Sequence, residues 1–383
     1  MRVLILSLDR ALVNKSGEGD TLKRFQVFKK YCQSLVAIVP TNKKTSEKII
    51  KGVKIIPAFG SNNYVAYFKI YQLARKVCQQ EKINLIVTND AVLGAIAIWL
   101  RRKFPVKVQV NIFGLEILNP FWLKERPQNI FLKWIQEWVI KEADGLRTDN
   151  FGDKQLLIKQ YRISPKKIVV VLVVPSLDEQ KAFSLAKKDR QLKKSLVGNK
   201  KMILAVGGLV KAKDYLTLIK AMEILNQQMS KVKLIIVGEG PERSKIEKEI
   251  KKRNLKNKVK LLGSVSYQKM PVIFAIADVF VISSTHEGLP RVLMEAALCA
   301  TPIVSTRVGG VKNLVKNKKS GLLVPVKDPD SLAAAIKKVL ENKPEAKGMG
   351  RNARKRTQQL LKFKPAISKL IQSWQELLNE ERT

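Results

Sequence analysis

Two successive sets of short apolar strands, each alternating with amphipathic helical stretches, predict an α/β fold of two doubly wound domains. Length agrees: 383 residues exceed one ordinary core, and 45% hydrophobic residues are enough to fill two. The break between the sets is a polar, lysine-rich stretch that starts just after Pro175.

In the first set the strand candidates are "RVLILS", "LVAIVP", "VKIIPA", "NLIVTN", "KVQVNIFG" and "KIVVVLVV". Apolar residues at helical spacing mark helices over Thr21–Tyr31, Val65–Gln80, Leu93–Lys103 and Ile130–Ala143, the first with an Asp20/Thr21 cap. Lys181–Lys201 reads as a linker with one helix. The second set is "MILAVG", "KLIIVG", "KVKLLG", "VFVISS", "PIVST" and "GLLVP". Both sets are Rossmann-like, and sheets of this kind bind ligands at the carboxyl ends of their strands, so two of them facing each other make a cleft. The expected organisation is an N-terminal domain over 1–175, a linker over 176–200 and a second domain over 201–362. A terminal helix over 363–383 should dock back on the first domain. Its apolar residues, Ile367, Leu370, Ile371, Trp374, Leu377 and Leu378, fall three and four apart.

Composition removes several function classes. The three cysteines, Cys32, Cys78 and Cys299, are scattered without CxxC spacing, and there is one histidine, His286. A Cys/His metal site and a disulfide framework are not expected, and a cytosolic location fits. His286 has no neighbouring Ser or Cys in a nucleophile motif. No signal peptide is read at the start, and the longest apolar run, Ala91–Leu100, is about half a membrane span. Lys and Arg outnumber Asp and Glu by 72 to 32, a net charge of +40. That excess fits either attraction to an anionic surface or lysines spread over solvated faces. Its diffuse spread and the lack of a nucleic-acid-binding motif argue against nucleic acid as a partner.

The chemistry concentrates in "STHEGLPRVLMEAAL", Ser284 to Leu298. Gly288 and Pro290 are poor interior helix residues, so a helix is expected to start at Pro290. Glu287 then lies in the loop and Glu295 about a turn and a half into the helix. N–H groups of Leu289, Arg291 and Val292 at the helix start form an anion site. The two carboxylates flank it, placed either to accept hydrogen bonds from hydroxyls or, more plainly, to pair with a core lysine and cap the helix. In "VGEGPERSKIE" the G-x-G of Gly238 and Gly240 is followed by Arg243 where a third glycine would complete a dinucleotide fingerprint. The turn therefore serves close backbone approach to a nucleotide better than an NAD site. Gly17 and Gly19 in "NKSGEGDTLKR" form either a ligand-facing loop or a surface turn. Trp122, Trp134 and Trp138, near Lys124, Arg126 and Lys133, read as core packing or as a membrane-interface stripe.

The run "HEGLPRVLMEAALCATPIVSTRVGGVKNLVKNKKSGLLVPVKDPDSLAAAI", with "AVGGLVKAKDYLTLIKAM" and "IIVGEGPERSKIE", closely resembles glycosyltransferase family 4 over most of residues 200–340. The resemblance implies a GT-B fold and a retaining enzyme using a nucleotide-sugar donor. It implies catalytic roles for Glu287, on hydroxyls of the donor sugar, and Lys213, on the diphosphate. Glu295 would bind the ribose. The backbone of Gly288, Leu289, Pro290, Arg291 and Val292, and the loops of Gly207, Gly208, Gly238 and Glu239, would complete the donor site. Gly17 and Gly19 would face donor phosphates and acceptor. No metal and no further cofactor are implied, since Lys213 and the helix start supply the positive charge. The acceptor would be a glycan or a lipid-linked glycan of cell-envelope polysaccharide or glycolipid synthesis, reached in the cytoplasm or at the inner face of an anionic plasma membrane. A GT-B epimerase or a non-catalytic nucleotide-sugar binder is the alternative.

Four positions depart from the family pattern. Gly208 stands where Gly-Arg-Leu has its arginine, and Asn313 replaces the Glu of GG-x-x-E. Ala300 replaces the Gly of ACGxP, and Asn111 lies in the stretch where many members carry a histidine.

Overall fold

The computed structural model describes residues 1–13, 20–118 and 120–380, and every count below refers to these. Two compact units emerge: Met1–Ser176 with Phe363–Thr383, and Leu177–Lys362.

The first unit holds an eight-stranded sheet. Its strands are β1 (Arg2–Leu6), β2 (Ser34–Thr41), β3 (Lys48–Ile50), β4 (Val53–Phe59), β5 (Leu85–Thr88), β6 (Lys107–Ile112), β7 (Gly145–Thr148) and β8 (Ile168–Val170). Their order is β3-β4-β2-β1-β5-β6-β7-β8, parallel except where β3 runs against β4. Val3, Leu4, Leu35 and Ile86 are almost wholly buried, as strands covered on both faces require. Pro57 fits inside β4 because the pairing with β3 stops at Ile55, so beyond it that edge has no ladder to lose.

Two differences from the sequence expectation concern this sheet. The run "KIVVVLVV" yields only three strand residues in β8. β7, "GLRT", carries no apolar run and so gives no period-2 signal, yet all four of its residues are buried.

The helix Phe363–Asn379 lies in the first unit. Trp374 is 1% exposed, meets Phe28 edge-on at 5.4 Å and donates from Nε1 to Gln109 Oε1 at 2.7 Å. A buried indole N–H needs such a partner, and Gln109 on β6 supplies it.

The second unit holds six parallel strands: β9 (Lys201–Val206), β10 (Val232–Val237), β11 (Val259–Gly263), β12 (Val279–Ile282), β13 (Ile303–Thr306) and β14 (Leu322–Val324). Their order is β11-β10-β9-β12-β13-β14. The chain leaves β9 in one direction and returns to β12 on its other flank, so the carboxyl ends of β9 and β12 form the topological switch point.

The stretch read as a polar linker carries two helices, Leu177–Ser184 and Arg190–Val197, both within this unit. One buried aromatic explains why it is ordered. Phe183 is 1% exposed and packs edge-on against Tyr267 at 5.7 Å and Phe274 at 5.9 Å. Asp189 caps the second helix, accepting from Leu192 N at 2.8 Å.

Candidate active site

Four loops meet at the carboxyl ends of β9, β10, β12 and β13. The loop after β9 holds Gly207, Gly208 and the short turn Lys211–Lys213. Backbone bonds fasten it to the loop after β12: Thr285 N donates to Ala212 O at 2.8 Å, and Ser283 Oγ donates to Lys213 O at 2.8 Å. This zipping brings Lys213 to Glu287. Lys213 Nζ donates to Glu287 Oε1 at 2.5 Å, and Ser284 Oγ donates to the same oxygen at 2.7 Å. The glutamate side chain is 12% exposed and the lysine 24%. An ion pair this sheltered is weakly screened, so each partner fixes the other's position.

Glycines carry the backbone around the pair. A Cβ on Gly309 (φ +34°) would stand 1.7 Å from Glu287 O, and one on Gly238 (φ +140°) would stand 2.0 Å from Gly207 O. Gly310 N donates to Gly288 O at 2.7 Å. The loops therefore touch main chain to main chain, which only glycine permits. Gly208 is different. Its Cβ would find nothing nearer than Glu239 O at 3.9 Å, so no steric rule demands glycine there.

The helix after the loop spans Arg291–Leu298, with Pro290 as its N-cap residue and no capping side chain. That corrects the expected start by one residue, because Pro290 has extended ψ (123°) and sits outside the first turn. Glu295 is 4% exposed inside this helix and accepts from Tyr267 Oη at 3.2 Å. Arg291 Nη2 lies 3.3 Å from Glu179 Oε1 and 3.3 Å from Tyr267 Oη. Its guanidinium also faces the Tyr267 ring at 5.9 Å.

Burial, with the neighbouring Glu295 charge second, raises the Tyr267 phenol well above its ordinary value. Burial, then Glu287, does the same to Tyr215, whose hydroxyl donates to Gly207 O at 3.0 Å. Both phenols stay protonated donors at neutral pH. Burial pushes the Cys299 thiol up to about 12, which makes it no nucleophile.

The structure thus gathers Lys213, Glu287, Gly207, Gly238, Gly288, Leu289 and Pro290 at one sheet end, with Glu295 and Arg291 on the following helix. Glu239 is in the β10 loop, but its carboxylate is spent on Arg243 at 2.6 Å and is half exposed. His286 Nδ1 lies 3.2 Å from Thr285 Oγ1. Gly17 and Gly19 lie outside the described residues. Tyr267 and Glu179, both engaged with the helix of Glu295 and Arg291, gave no sequence signal: they are remote in the chain and belong to no motif.

Ala300, at the family's glycine position, has φ +53°, and its carbonyl packs where a Cβ on Gly350 would be 2.1 Å away. The departure places an alanine in a left-handed conformation, a strain of roughly 1 kcal/mol.

Comparison with known proteins agrees with this geometry. A sequence profile described as glycosyl transferases group 1 matches residues 186–356. The chain is 29% identical over 272 residues to the N-acetylgalactosamine-N,N'-diacetylbacillosaminyl-diphospho-undecaprenol 4-alpha-N-acetylgalactosaminyltransferase of Campylobacter jejuni, covering 70% of each. It is 27% identical over 277 residues to the UDP-Gal:alpha-D-GlcNAc-diphosphoundecaprenol alpha-1,3-galactosyltransferase of Escherichia coli, covering 70% of this chain and 69% of that one. Its fold superimposes on sucrose-phosphate synthase from Thermosynechococcus elongatus with a TM-score of 0.83 at 18% identity, over 98% of this chain and 99% of that one. An Anabaena HepE structure in complex with UDP and glucose gives 0.75 at 19% identity, over 98% and 100%. Residues 186–356 match the glycosyl transferases group 1, the chain has the GT-B fold, and it is a glycosyltransferase.

Proposed function

We propose that the chain is a retaining, family 4 transferase that moves a hexosyl-type sugar from a nucleotide-diphosphate sugar to a hydroxyl of a glycan or lipid-linked acceptor. The product would enter cell-envelope polysaccharide or glycolipid. The observation that carries this reading is the Lys213–Glu287 pair at the β9/β12 switch point, with Glu295 buried on the next helix.

In this reading the diphosphate lies over Lys213 and the start of the helix Arg291–Leu298. Negative charge develops on the leaving diphosphate, and a fixed ammonium with oriented N–H groups stabilises it without reorganising. Glu287 accepts from sugar hydroxyls while holding Lys213 in place, and Glu295 accepts from the ribose. A leaving-group phosphate oxygen takes the acceptor's proton, so no side-chain base is needed and the positive charge comes from the protein.

Two relatives are named for diphospho-undecaprenol acceptors, which favours a lipid-linked acceptor here too. Among the described residues no helix is long and apolar enough to cross a membrane. The tryptophan stripe divides: Trp122 and Trp138 pack against the core, while Trp134 is 66% exposed beside exposed Ile130 and Phe131. Trp99, 60% exposed, lies on the helix Ala91–Arg101, which crosses the helix of Trp134 so closely that a Cβ on Gly94 would meet Val139 Cγ1 at 2.7 Å. With Arg101, Arg102 and Lys103 alongside, these aromatics form the contact with an anionic bilayer.

Three measurements test the proposal. Melting temperature should rise with one nucleotide sugar of a panel, and Glu295→Ala should abolish the rise. The transferred sugar should keep the donor's anomeric configuration. An inverted product, or interconversion of the donor without transfer, sinks the reading. Anionic liposomes should sediment the protein at low salt and release Trp99→Ala/Trp134→Ala. Equal sedimentation of both proteins removes the membrane face.

A further inference from the structure

Among the described residues, the first unit keeps a buried cation, Arg147, with no acid ion-paired to it. Arg147 lies on β7, between Asn111 of β6 and Val169 of β8 in the strand register. It is 9% exposed. Its Nε and Nη2 both donate to one carbonyl oxygen, Val171 O, at 3.3 and 3.2 Å. Phe113 offers its ring face at 5.5 Å. Among the described residues no carboxylate comes within ion-pairing distance of it, and Nη1 donates to no protein acceptor. Taking a guanidinium from water against one carbonyl and one ring face costs several kcal/mol that neither partner returns.

The neighbourhood adds to that cost. Burial, and then the positive charge of Arg24 from the helix Asp20–Lys29, bring the Arg147 guanidinium down to about 10, against the raising effect of the Asp149 charge. Beside Arg147, Asn111 is 5% exposed. Its Nδ2 donates to Asn89 Oδ1 at 2.5 Å, and its Oδ1 has no partner. Asn111 and Arg147 are cross-strand neighbours on the same face as Gln109, roughly 4.8 Å apart, near the carboxyl ends of β6 and β7. That sheet end is where a doubly wound domain receives ligands.

We propose that Arg147 binds a phosphate group carried by the acceptor, with the positive charge of Arg24 adding to the attraction, and that Asn111 Oδ1 accepts from a hydroxyl of the same molecule. This rests on the reading that the first unit takes the acceptor, and it adds the acceptor's chemistry: a sugar phosphate or a lipid phosphate, not a neutral glycan. A phosphate supplies an acceptor oxygen for Nη1 and the negative charge that the buried Arg147, with Arg24 nearby in charge, lacks.

The test is calorimetric titration of the full chain with pyrophosphate, glucose 1-phosphate, farnesyl diphosphate and, separately, UDP. Arg147→Gln and Arg24→Gln should each lower affinity for the three non-nucleotide probes at least about tenfold and leave UDP binding as it was. Lys213→Ala should do the reverse. Tighter binding of farnesyl diphosphate assigns the phosphate to a lipid carrier; tighter binding of glucose 1-phosphate assigns it to a soluble sugar phosphate. Arg24 is half-buried on a helix, so its variant decides the matter if Arg147→Gln fails to fold. Unchanged phosphate affinity in Arg24→Gln and in folded Arg147→Gln, or a loss confined to Lys213→Ala, overturns the proposal. UDP binding that is absent in the wild type instead sinks the donor assignment and leaves this site standing on its own titration.

Discussion

At the ends of β9 and β12, Lys213 meets Glu287 at 2.5 Å and Ser284 shares the same carboxylate oxygen. At the end of β7, Arg147 meets a carbonyl and a ring, and among the described residues no acid within ion-pairing distance. Both are cations at the carboxyl edge of a parallel sheet. One is positioned by a carboxylate of its own protein. The other is left with capacity to spare. In the reading proposed above, the first is a donor site built ready-made for a nucleotide diphosphate, and the second leaves its acceptor to bring the charge.

The largest effect expected from breaking this contrast lies on the pre-paired side. Lys213→Ala should lower kcat by about a hundred- to a thousandfold, the loss typical of one preorganised donor to a developing oxyanion. It should move donor KM much less, because the charge it answers grows only in the transition state. A KM effect as large as the kcat effect would mean that Lys213 holds substrate and transition state alike, and the two sheet ends would then differ less than their geometry says.

How much of this was visible in the chain depends on locality. That Glu287, Gly288, Pro290 and Glu295 lie together was legible because they fall within nine residues. The roles proposed for them and for Lys213 came from the family resemblance, and the structure brings Lys213 to Glu287. What the sequence could not show is that Ser283 and Thr285 would zip the two loops together. The fold class followed from the alternation of apolar runs. β7 did not, since "GLRT" is buried by its neighbours and not by its own hydrophobicity. The residue that departs most from the ordinary rule for buried charge, Arg147, sits in that illegible strand. The two helices in the supposed linker were hidden for a related reason. A single Phe183 anchors a stretch otherwise full of lysine, and composition averages it away.

A second, smaller test falls on the unpaired side. Asp153 shares the β7 end with Arg147, accepting from Asn150 Nδ2 at 2.8 Å and from Gly114 N at 3.1 Å. Burial raises its carboxyl to about 6, against the opposing Asn150 bond, with Asp149 adding to the rise. The folded state therefore holds this proton more tightly than the unfolded chain does. Its contribution to stability is complete below about pH 4 and is lost as pH rises through about 6. The difference in unfolding free energy between wild type and Asp153→Asn should fall by roughly 2–3 kcal/mol across that window, measured by denaturant titration. A difference independent of pH would show that Asp153 is already ionised, and that this strand end carries more negative charge than its burial implies.

The smallest expected effect asks whether the pre-paired side is complete. Gly208 stands where the family pattern has arginine. The position is exposed, its backbone is not left-handed, and a Cβ would have 3.9 Å of clearance from Glu239 O. Nothing in the packing excludes a long side chain, so Gly208→Arg should fold with unchanged stability. From there a guanidinium can reach the diphosphate above Lys213 and add a charge-assisted bond, tightening nucleotide-diphosphate affinity by up to about tenfold. Glu239 competes for it, but that carboxylate is already engaged by Arg243 at 2.6 Å. If affinity rises and kcat does not, the added charge serves binding alone, and Lys213 with the helix start already supplies what the transition state needs. If affinity stays the same in a folded variant, the diphosphate does not pass Gly208, and the anion must be placed closer to Arg291.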